Sequence, residues 1–152
     1  MKRFLAALCM ACAAAAACAG QAIYDQRADA RLQIAQALAQ APARDVIVIF
    51  GANWCGDCKA LEHAFEQGET AALIGRRFRV VKVDVGRFDR NVDVAHAYGV
   101  PLALGIPALA MLSPRGRVIY ATRGGELADA RKLGDAGIHD FIAGIAKRAG
   151  GD

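Results

Sequence analysis

The stretch DVIVIFGANWCGDCKAL, residues 45–61, decides the fold. Its first six residues, DVIVIF, form a run dominated by β-branched side chains and too short for a globular helix, which predicts a strand buried on both faces. The two cysteines follow directly, and from Gly56 onward Leu61 and Phe65 lie four residues apart, which predicts a helix with His63 on its more exposed side. Two cysteines at such a junction could be a redox pair, half of a metal site or two packed thiols.

Helical and extended patterns continue on both sides of this stretch. A helix is expected over Tyr24–Ala41, ending near Pro42, with an apolar face of Ala28, Leu32, Ala35 and Leu38 or Ala39. The later elements are expected as a strand over 78–85, a short helix over 91–98 that stops at Gly99, strands over 108–114 and 116–122 joined by a tight turn, and a helix over 135–149 with Ile138, Phe141, Ile142 and Ile145 on its apolar face.

The order of these elements is helix, strand, helix, strand, helix, strand, strand, helix. Alternating strands and helices in the first half require parallel strands with crossover helices, and the later hairpin adds antiparallel pairing. The sequence therefore predicts an α/β fold with a mixed central β-sheet flanked by helices. The chain's 152 residues suffice for one such domain, which is expected over residues 23–152.

The first residues have the pattern of a secretory signal peptide. Lys2 and Arg3 precede an uncharged, alanine-rich stretch that ends in small residues, so residues 1–22 are expected to be removed on export. A retained membrane anchor is the alternative, because about 20 apolar residues can span a bilayer. The segment ending at Ala17 also resembles a degenerate lipoprotein signal, in which Cys18 would become the lipidated first residue.

Export leaves few cysteines in the mature domain. Of the five in the chain, Cys9, Cys12 and Cys18 lie in the targeting segment, so only Cys55 and Cys58 certainly remain. A single pair cannot form a disulfide-stapled scaffold, and structural zinc needs four ligands, whereas the three histidines show no matching spacing. No metal and no cofactor are therefore expected, and copper delivery through the pair lacks support from a Met-rich or His-rich segment.

Charge indicates no particular partner. The formal net charge is +4, and about +2 remains once Lys2 and Arg3 are removed. The basic cluster at residues 76–79 fits a solvated helix end or loop better than a nucleic-acid surface, so no nucleic-acid partner is expected.

The position of the cysteine pair favours redox chemistry. A cysteine in the first turn of a helix lies close to unpaired N–H groups and to the positive end of the helix dipole, which favour the thiolate. Cys58 lies about one turn deeper than Cys55, close enough to close a small disulfide ring. Cys55 could therefore attack a substrate disulfide, and Cys58 could then resolve the mixed disulfide.

The motifs together resemble the thioredoxin family. The segment FGANWCGDCKAL is similar to the family's strand, aromatic residue, Trp-Cys-x-x-Cys-Lys motif and helix start, and YGVPLALGIPALAML is similar to its later proline loop. The resemblance covers about residues 45–149 and implies the thioredoxin fold. It implies that Cys55 attacks and Cys58 resolves, that Pro107 is a cis proline, and that Ile106 pairs through its backbone with an extended substrate. Trp54 and Gly124 would complete the substrate-binding surface, and Gly56, Asp57 and Lys59 would modulate the pair.

Three departures from the family pattern bear on activity. Many thioredoxins carry a buried aspartate six residues before the first cysteine, where this chain has Ile49. Proton removal from Cys58 would then fall to Lys59, Asp57, water or no specialised group, and exchange could be slower. Residues 101–104 lengthen the segment before the proline loop and could reshape the substrate groove. Asp57 replaces the usual proline, and a carboxylate there should oppose thiolate formation, raise the thiol pKa and stabilise the disulfide. The alternative is that Asp57 is a first-turn residue of little redox consequence.

The sequence thus predicts an exported thiol–disulfide oxidoreductase, most simply a reductant of protein disulfides in the periplasm of a Gram-negative cell. Its expected partners are disulfide-containing envelope proteins and a membrane electron donor, with membrane attachment only if Cys18 is lipidated. A thioredoxin-like substrate-binding or chaperone module without redox turnover is the alternative from another functional class.

Overall fold

The structure is a computed structural model that describes residues 22–40 and 42–149. All of the signal-peptide segment but its last residue, Ala22, lies outside the described residues, as do the possible lipidation site at Cys18 and Ala41 at the expected end of the first helix. Five helices, one short 3₁₀ turn and four strands are present in the described part of the chain. In chain order they are α1 Ala30–Ala39, β1 Asp45–Gly51, α2 Gly56–Phe65, α3 Gly68–Arg77, β2 Phe78–Asp84, α4 Val92–Ala97, the 3₁₀ turn Leu102–Leu104, β3 Ala108–Leu112, β4 Val118–Ala121 and α5 Ala130–Ala149.

The strands form the mixed sheet that the sequence predicts, in the order β2-β1-β3-β4. β1 is parallel to β2 and antiparallel to β3, and β3 is antiparallel to β4. The residues of β1 from Val46 to Gly51 are all buried, as expected for a central strand covered on both faces. The tight turn of the β3–β4 hairpin is confirmed by the hydrogen bond from the Gly116 N–H to the Ser113 carbonyl, with Gly116 at a φ of +78°.

Helices flank the sheet. α1 packs against β1 and β2, whereas α2, α3 and α5 pack on one another, with α3 also reaching β2 and α5 reaching β4. Leu61 and Phe65 of α2 are buried, and so are Ile138, Ile142 and Ile145 of α5. The predicted apolar faces of these two helices are therefore confirmed.

Helix α1 differs from its prediction in both length and orientation. It begins at Ala30, where the carboxylate of Asp29 accepts a hydrogen bond from the Leu32 N–H and caps the first turn. Its buried face is Ala30, Ile34 and Ala37, whereas Leu32 is 54% exposed. The expected face was wrong because the alanine-rich segment also supports a stripe shifted by two residues.

Two further differences concern helices. The expected order omitted α3, whose only fully buried residue is Thr70 and whose apolar residues Leu73 and Ile74 are partly buried against the core. The last helix was expected from Asp135, but helical structure begins at Ala130 and is interrupted at Gly134, which has a φ of +64°. This kink orients the first turn of α5 toward the beginning of α2.

Candidate redox site

The strand register brings the segment that carries the two cysteines next to the segment that carries Pro107. β1 ends at Gly51, directly before the cysteine motif, and Phe50 of β1 pairs with Ala108, the first residue of β3. The residues just before Ala108 therefore lie beside those just after Gly51. β2 runs parallel to β1, so the loop that follows Asp84 reaches the same edge of the sheet.

Cys55 caps helix α2. Its Sγ accepts a hydrogen bond from the Cys58 N–H at 3.1 Å, which places the sulfur against the unpaired N–H groups of the first turn. Such N–H groups and the helix dipole stabilise a thiolate relative to a thiol. The predicted position of Cys55 at the start of the helix is therefore confirmed.

Cys55 and Cys58 form a disulfide bond, with their Cα atoms 5.2 Å apart. Cys55 is 5% exposed and Cys58 is 1% exposed, so both sulfurs lie in the protein rather than on its surface. Cys55 is at the start of the helix, and Cys58 is the more deeply buried of the two. Among the described residues, no group of three or more His, Cys, Asp or Glu side chains could hold a metal ion.

The proline loop faces the attacking cysteine. The peptide bond between Ile106 and Pro107 is cis, and the Ile106 carbonyl oxygen lies 3.5 Å from the Sγ of Cys55. Ile106 and Pro107 are buried, while the 3₁₀ turn before them leaves Leu104 49% exposed. The inserted residues 101–104 therefore place an apolar side chain on the surface next to the proline loop.

Trp54 covers the other side of the site. Its indole N–H donates to the Gly86 carbonyl at 2.8 Å, and its ring meets Phe88 edge-on with a centroid separation of 6.1 Å. The guanidinium of Arg87 lies 5.8 Å from the Trp54 ring centroid. Trp54 and Phe88 are 49% and 44% exposed, so this aromatic pair offers apolar surface beside Cys55.

Asp57 is engaged by a residue that the sequence did not single out. Arg131, in the first turn of α5, donates to Asp57 from its backbone N–H at 3.0 Å, from Nε at 3.2 Å and from Nη2 at 3.0 Å. The side-chain hydrogen bonds from Arg131 lower the pKa of Asp57 below its ordinary value. The guanidinium also lies over Gly56, within 3.5 Å of where a β-carbon on that glycine would be. The carboxylate between the cysteines is thus half of an ion pair.

The Lys59 backbone N–H donates to the Cys55 carbonyl at 3.2 Å, and among the described residues no side-chain hydrogen bond joins Lys59 or Gly124 to either cysteine. The Gly124 N–H donates to Glu126 at 2.9 Å within the loop that follows β4, and the neighbouring Gly125 lies against Leu104. Lys59 is exposed on α2. Their expected roles in substrate binding and in modulating the pair stay predictions.

Glu62 and Lys82 form a second ion pair next to the site. The sequence did not lead us to expect this pair either. A lysine within the apolar strand pattern of 78–85 and a glutamate four residues after Cys58 were the available signals. Arg131 gave no such signal, because its partner lies 74 residues away in the chain.

Known proteins resemble both the sequence and this geometry. A family model described as thioredoxin-like matches residues 27–114. The chain is 35% identical to a thioredoxin of Bacillus subtilis (strain 168) over 79 residues, which are 52% of this chain and 67% of that protein. The crystal structure of a disulphide isomerase from Xylella fastidiosa Temecula1 has a TM-score of 0.80 and 47% identity, covering 84% of this chain and 99% of the other. A thioredoxin from Thermus thermophilus, at 24% identity and a TM-score of 0.51, shares the fold over 75% of this chain and 80% of its own.

Proposed function

Because the chain belongs to the thioredoxin-like family and is a thiol–disulfide oxidoreductase, we propose that it reduces disulfide bonds in exported proteins. The observation that carries this proposal is the position of Cys55. Its sulfur caps α2, receives the Cys58 N–H and faces the backbone of Ile106. A substrate segment that pairs with that backbone would present its own disulfide to Cys55.

The reaction transfers two electrons from the cysteine pair to the substrate. The Cys55 thiolate attacks one substrate sulfur, a mixed disulfide forms and the other substrate sulfur leaves as a thiolate that takes a proton. Cys58 loses its proton and attacks the Cys55 sulfur, which forms the Cys55–Cys58 disulfide and releases the first substrate sulfur as a second thiol. The disulfide seen in the structure is the product state of this cycle.

The charges around the motif favour a reductant over a dithiol oxidant. Strong oxidants stabilise the thiolate and therefore their reduced form. Here the side chain between the cysteines is an anion whose charge is balanced by Arg131, so the residues within the motif add no uncompensated cation beside Cys55. A modest thiolate stabilisation from the helix start alone is consistent with a protein that gives electrons away.

Disulfide isomerisation is the second candidate. It is favoured by the 47% identity to a protein described as a disulphide isomerase. Isomerisation uses the same first attack by Cys55, and it requires that the mixed disulfide be resolved by another cysteine of the substrate. Refolding of scrambled ribonuclease measures it: recovery of activity by the reduced protein without net thiol release would identify an isomerase.

Export and the identity of the electron donor belong to the same proposal. The pattern of residues 1–22 supports export to the periplasm with removal of the signal peptide, and lipidation at Cys18 would instead attach the protein to a membrane. In residues 22–40 and 42–149, no helix is both long and apolar enough to cross a bilayer. An exported reductant needs a membrane electron donor to reduce Cys55–Cys58 again. Mass spectrometry of the mature N-terminus in periplasmic and membrane fractions distinguishes cleavage before Ile23 from lipidation at Cys18.

Insulin reduction tests the central activity. With dithiothreitol as reductant, the wild-type protein should accelerate insulin precipitation, and Cys55→Ser should not. A wild-type rate equal to that of Cys55→Ser would remove the reductase proposal and favour a binding or chaperone module. In that case both proteins would still suppress aggregation of an unfolded client.

A further inference from the structure

The β1 position at which many thioredoxins carry a buried acid holds Ile49 in this chain, and a lysine lies opposite it on β2. Ile49 is 2% exposed and pairs in register with Lys82 of the parallel strand β2. A lysine side chain on a largely buried strand requires a partner, because desolvation of an unpaired ammonium is costly. Lys82 finds this partner on a helix, in Glu62 of α2, with which it forms a hydrogen-bonded ion pair.

Glu62 lies on the same side of α2 as the resolving cysteine. It follows Cys58 by four residues, a spacing that makes two helical side chains neighbours. Helical side chains incline toward the N-terminus, so the side chain of Glu62 is inclined toward the turn that carries Cys58. The Glu62 side chain is 14% exposed, which shields its carboxylate from much of the solvent while leaving a path to it.

A cleft on the protein surface provides that path. Its volume is about 640 Å³, and its lining includes Lys59, Glu62, His63, Glu66 and Lys82. One other titratable group, Tyr24, lies near the carboxylate. Burial is the largest cause of the raised pKa of Tyr24, and the negative charges of Glu62 and Asp84 near its hydroxyl raise that pKa further.

We propose that Glu62 accepts the proton of the Cys58 thiol when the mixed disulfide is resolved, and that Lys82 positions its carboxylate. The inference rests on the proposed reductase function and names the residue that completes it. In the step, the proton moves from Cys58 Sγ to a Glu62 oxygen, the Cys58 thiolate attacks Cys55 Sγ, and the substrate sulfur leaves with both electrons of the broken S–S bond. Glu62 then releases the proton to water in the cleft, and the substrate thiolate takes a proton from solvent.

The other nearby acids have different tasks. Asp57 is held by Arg131 on the outer side of the motif. Asp84 accepts the Gly86 N–H and lies 3.7 Å from the Arg90 guanidinium, so it supports the loop that holds Trp54. Glu66, one turn beyond Glu62, lines the same cleft but is exposed. Glu66 is therefore the matched control.

The test separates the two halves of the reaction. Reduced protein is mixed with glutathione disulfide, quenched with acid at set times, and analysed by mass spectrometry for the Cys55–glutathione adduct. Glu62→Gln should form the adduct at the wild-type rate but resolve it about tenfold more slowly at pH 7, because a positioned base typically contributes at least this much. In Glu62→Gln, the rate of resolution should continue to rise with pH over a wider pH range than in the wild-type protein. Glu66→Gln should match the wild type in both steps.

Two further variants guard against an effect of misfolding. Lys82→Met keeps the carboxylate but removes the group that positions it, and should also slow resolution alone. Adding Ile49→Asp to Glu62→Gln places an acid opposite Lys82 again and should restore at least half of the lost rate. Wild-type resolution rates and pH profiles in both Glu62→Gln and Lys82→Met would overturn the proposal. Failure of the wild-type protein to reduce insulin would instead overturn the reductase function, so the two failures are distinguishable.

Discussion

Replacing Arg131 by glutamine should lower the reduction potential of the cysteine pair. Arg131 neutralises Asp57 through two side-chain hydrogen bonds of 3.2 and 3.0 Å. Without the guanidinium, the Asp57 carboxylate stays close to the Cys55 sulfur and opposes its ionisation. The reduced form then loses stability relative to the disulfide, and the potential becomes more negative.

The size of the effect follows from Coulomb's law. A unit charge roughly 7 Å from the thiolate contributes about 0.6 kcal/mol in a water-like medium and about 2.4 kcal/mol at the effective dielectric of a protein surface. For a two-electron couple these energies correspond to roughly 13 to 50 mV. Because the Asp57 side chain is only 15% exposed, the shift should lie within this range rather than below it.

The assay is equilibration with glutathione at a pH above the Cys55 ionisation, combined with the pH midpoint of Cys55 alkylation. Arg131→Gln should shift the potential downward and the alkylation midpoint upward. Asp57→Asn leaves the guanidinium over Gly56 uncompensated, so both quantities should move in the opposite directions, and the double variant should return near the wild type. Lys132→Gln, which removes a neighbouring cation paired with Asp129, should have a smaller effect. An unchanged potential in Arg131→Gln, or shifts of the same sign in both single variants, would refute the reasoning.

Three other outcomes are expected. The Asp57–Arg131 pair should stabilise the fold only where Asp57 is ionised, because the pKa of Asp57 is lower in the folded state than in the unfolded state. The contribution of the pair to stability is therefore fully present above the unfolded-state pKa of about 4, and it is lost as the pH falls through the folded-state pKa. Asp57→Asn should therefore lower the urea midpoint on the order of 0.3 M at pH 7 and leave it unchanged near pH 2, and a difference that persists in acid would contradict this. Leu61→Ala should lower the free energy of unfolding measured in urea by about 2–5 kcal/mol, because Leu61 is 1% exposed. A decrease below about 1 kcal/mol would show that Leu61 is not packed in the core. Leu104→Ser should raise the KM for insulin roughly fivefold by removing apolar contact, but leave the rate with glutathione disulfide unchanged; equal effects on both substrates would rule out a role of Leu104 in docking.

The fold was largely predictable because its central strands carry unambiguous patterns. The runs in β1 and β2 and the β3–β4 hairpin are short, apolar and bounded by turn residues. α3 was missed for the opposite reason. Its apolar residues Leu73 and Ile74 are only partly buried, and it contains Gly75 and ends in arginines, so its sequence offers few of the residues that mark a buried helix face.

The chemistry of the site was predictable only where it depends on local sequence. The place of Cys55 at a helix start follows from neighbouring residues, and its capping hydrogen bond is local. Arg131, the partner of Asp57, lies near the other end of the domain, close to a helix kink that the apolar pattern of the sequence does not predict. The expected effect of Asp57 on the thiol stays a prediction, and it must be measured together with the balancing charge of Arg131.

Covalent trapping distinguishes the cysteine that attacks the substrate, expected to be Cys55, from the cysteine that resolves the mixed disulfide, expected to be Cys58. Cys58→Ser and Cys55→Ser proteins, each reduced, are incubated with a disulfide-bonded protein and analysed by non-reducing electrophoresis and mass spectrometry. A stable intermolecular disulfide at Cys55 in the Cys58→Ser protein, with none at Cys58 in the Cys55→Ser protein, is the predicted result. Adducts that form at Cys58, or in neither variant, would contradict the account.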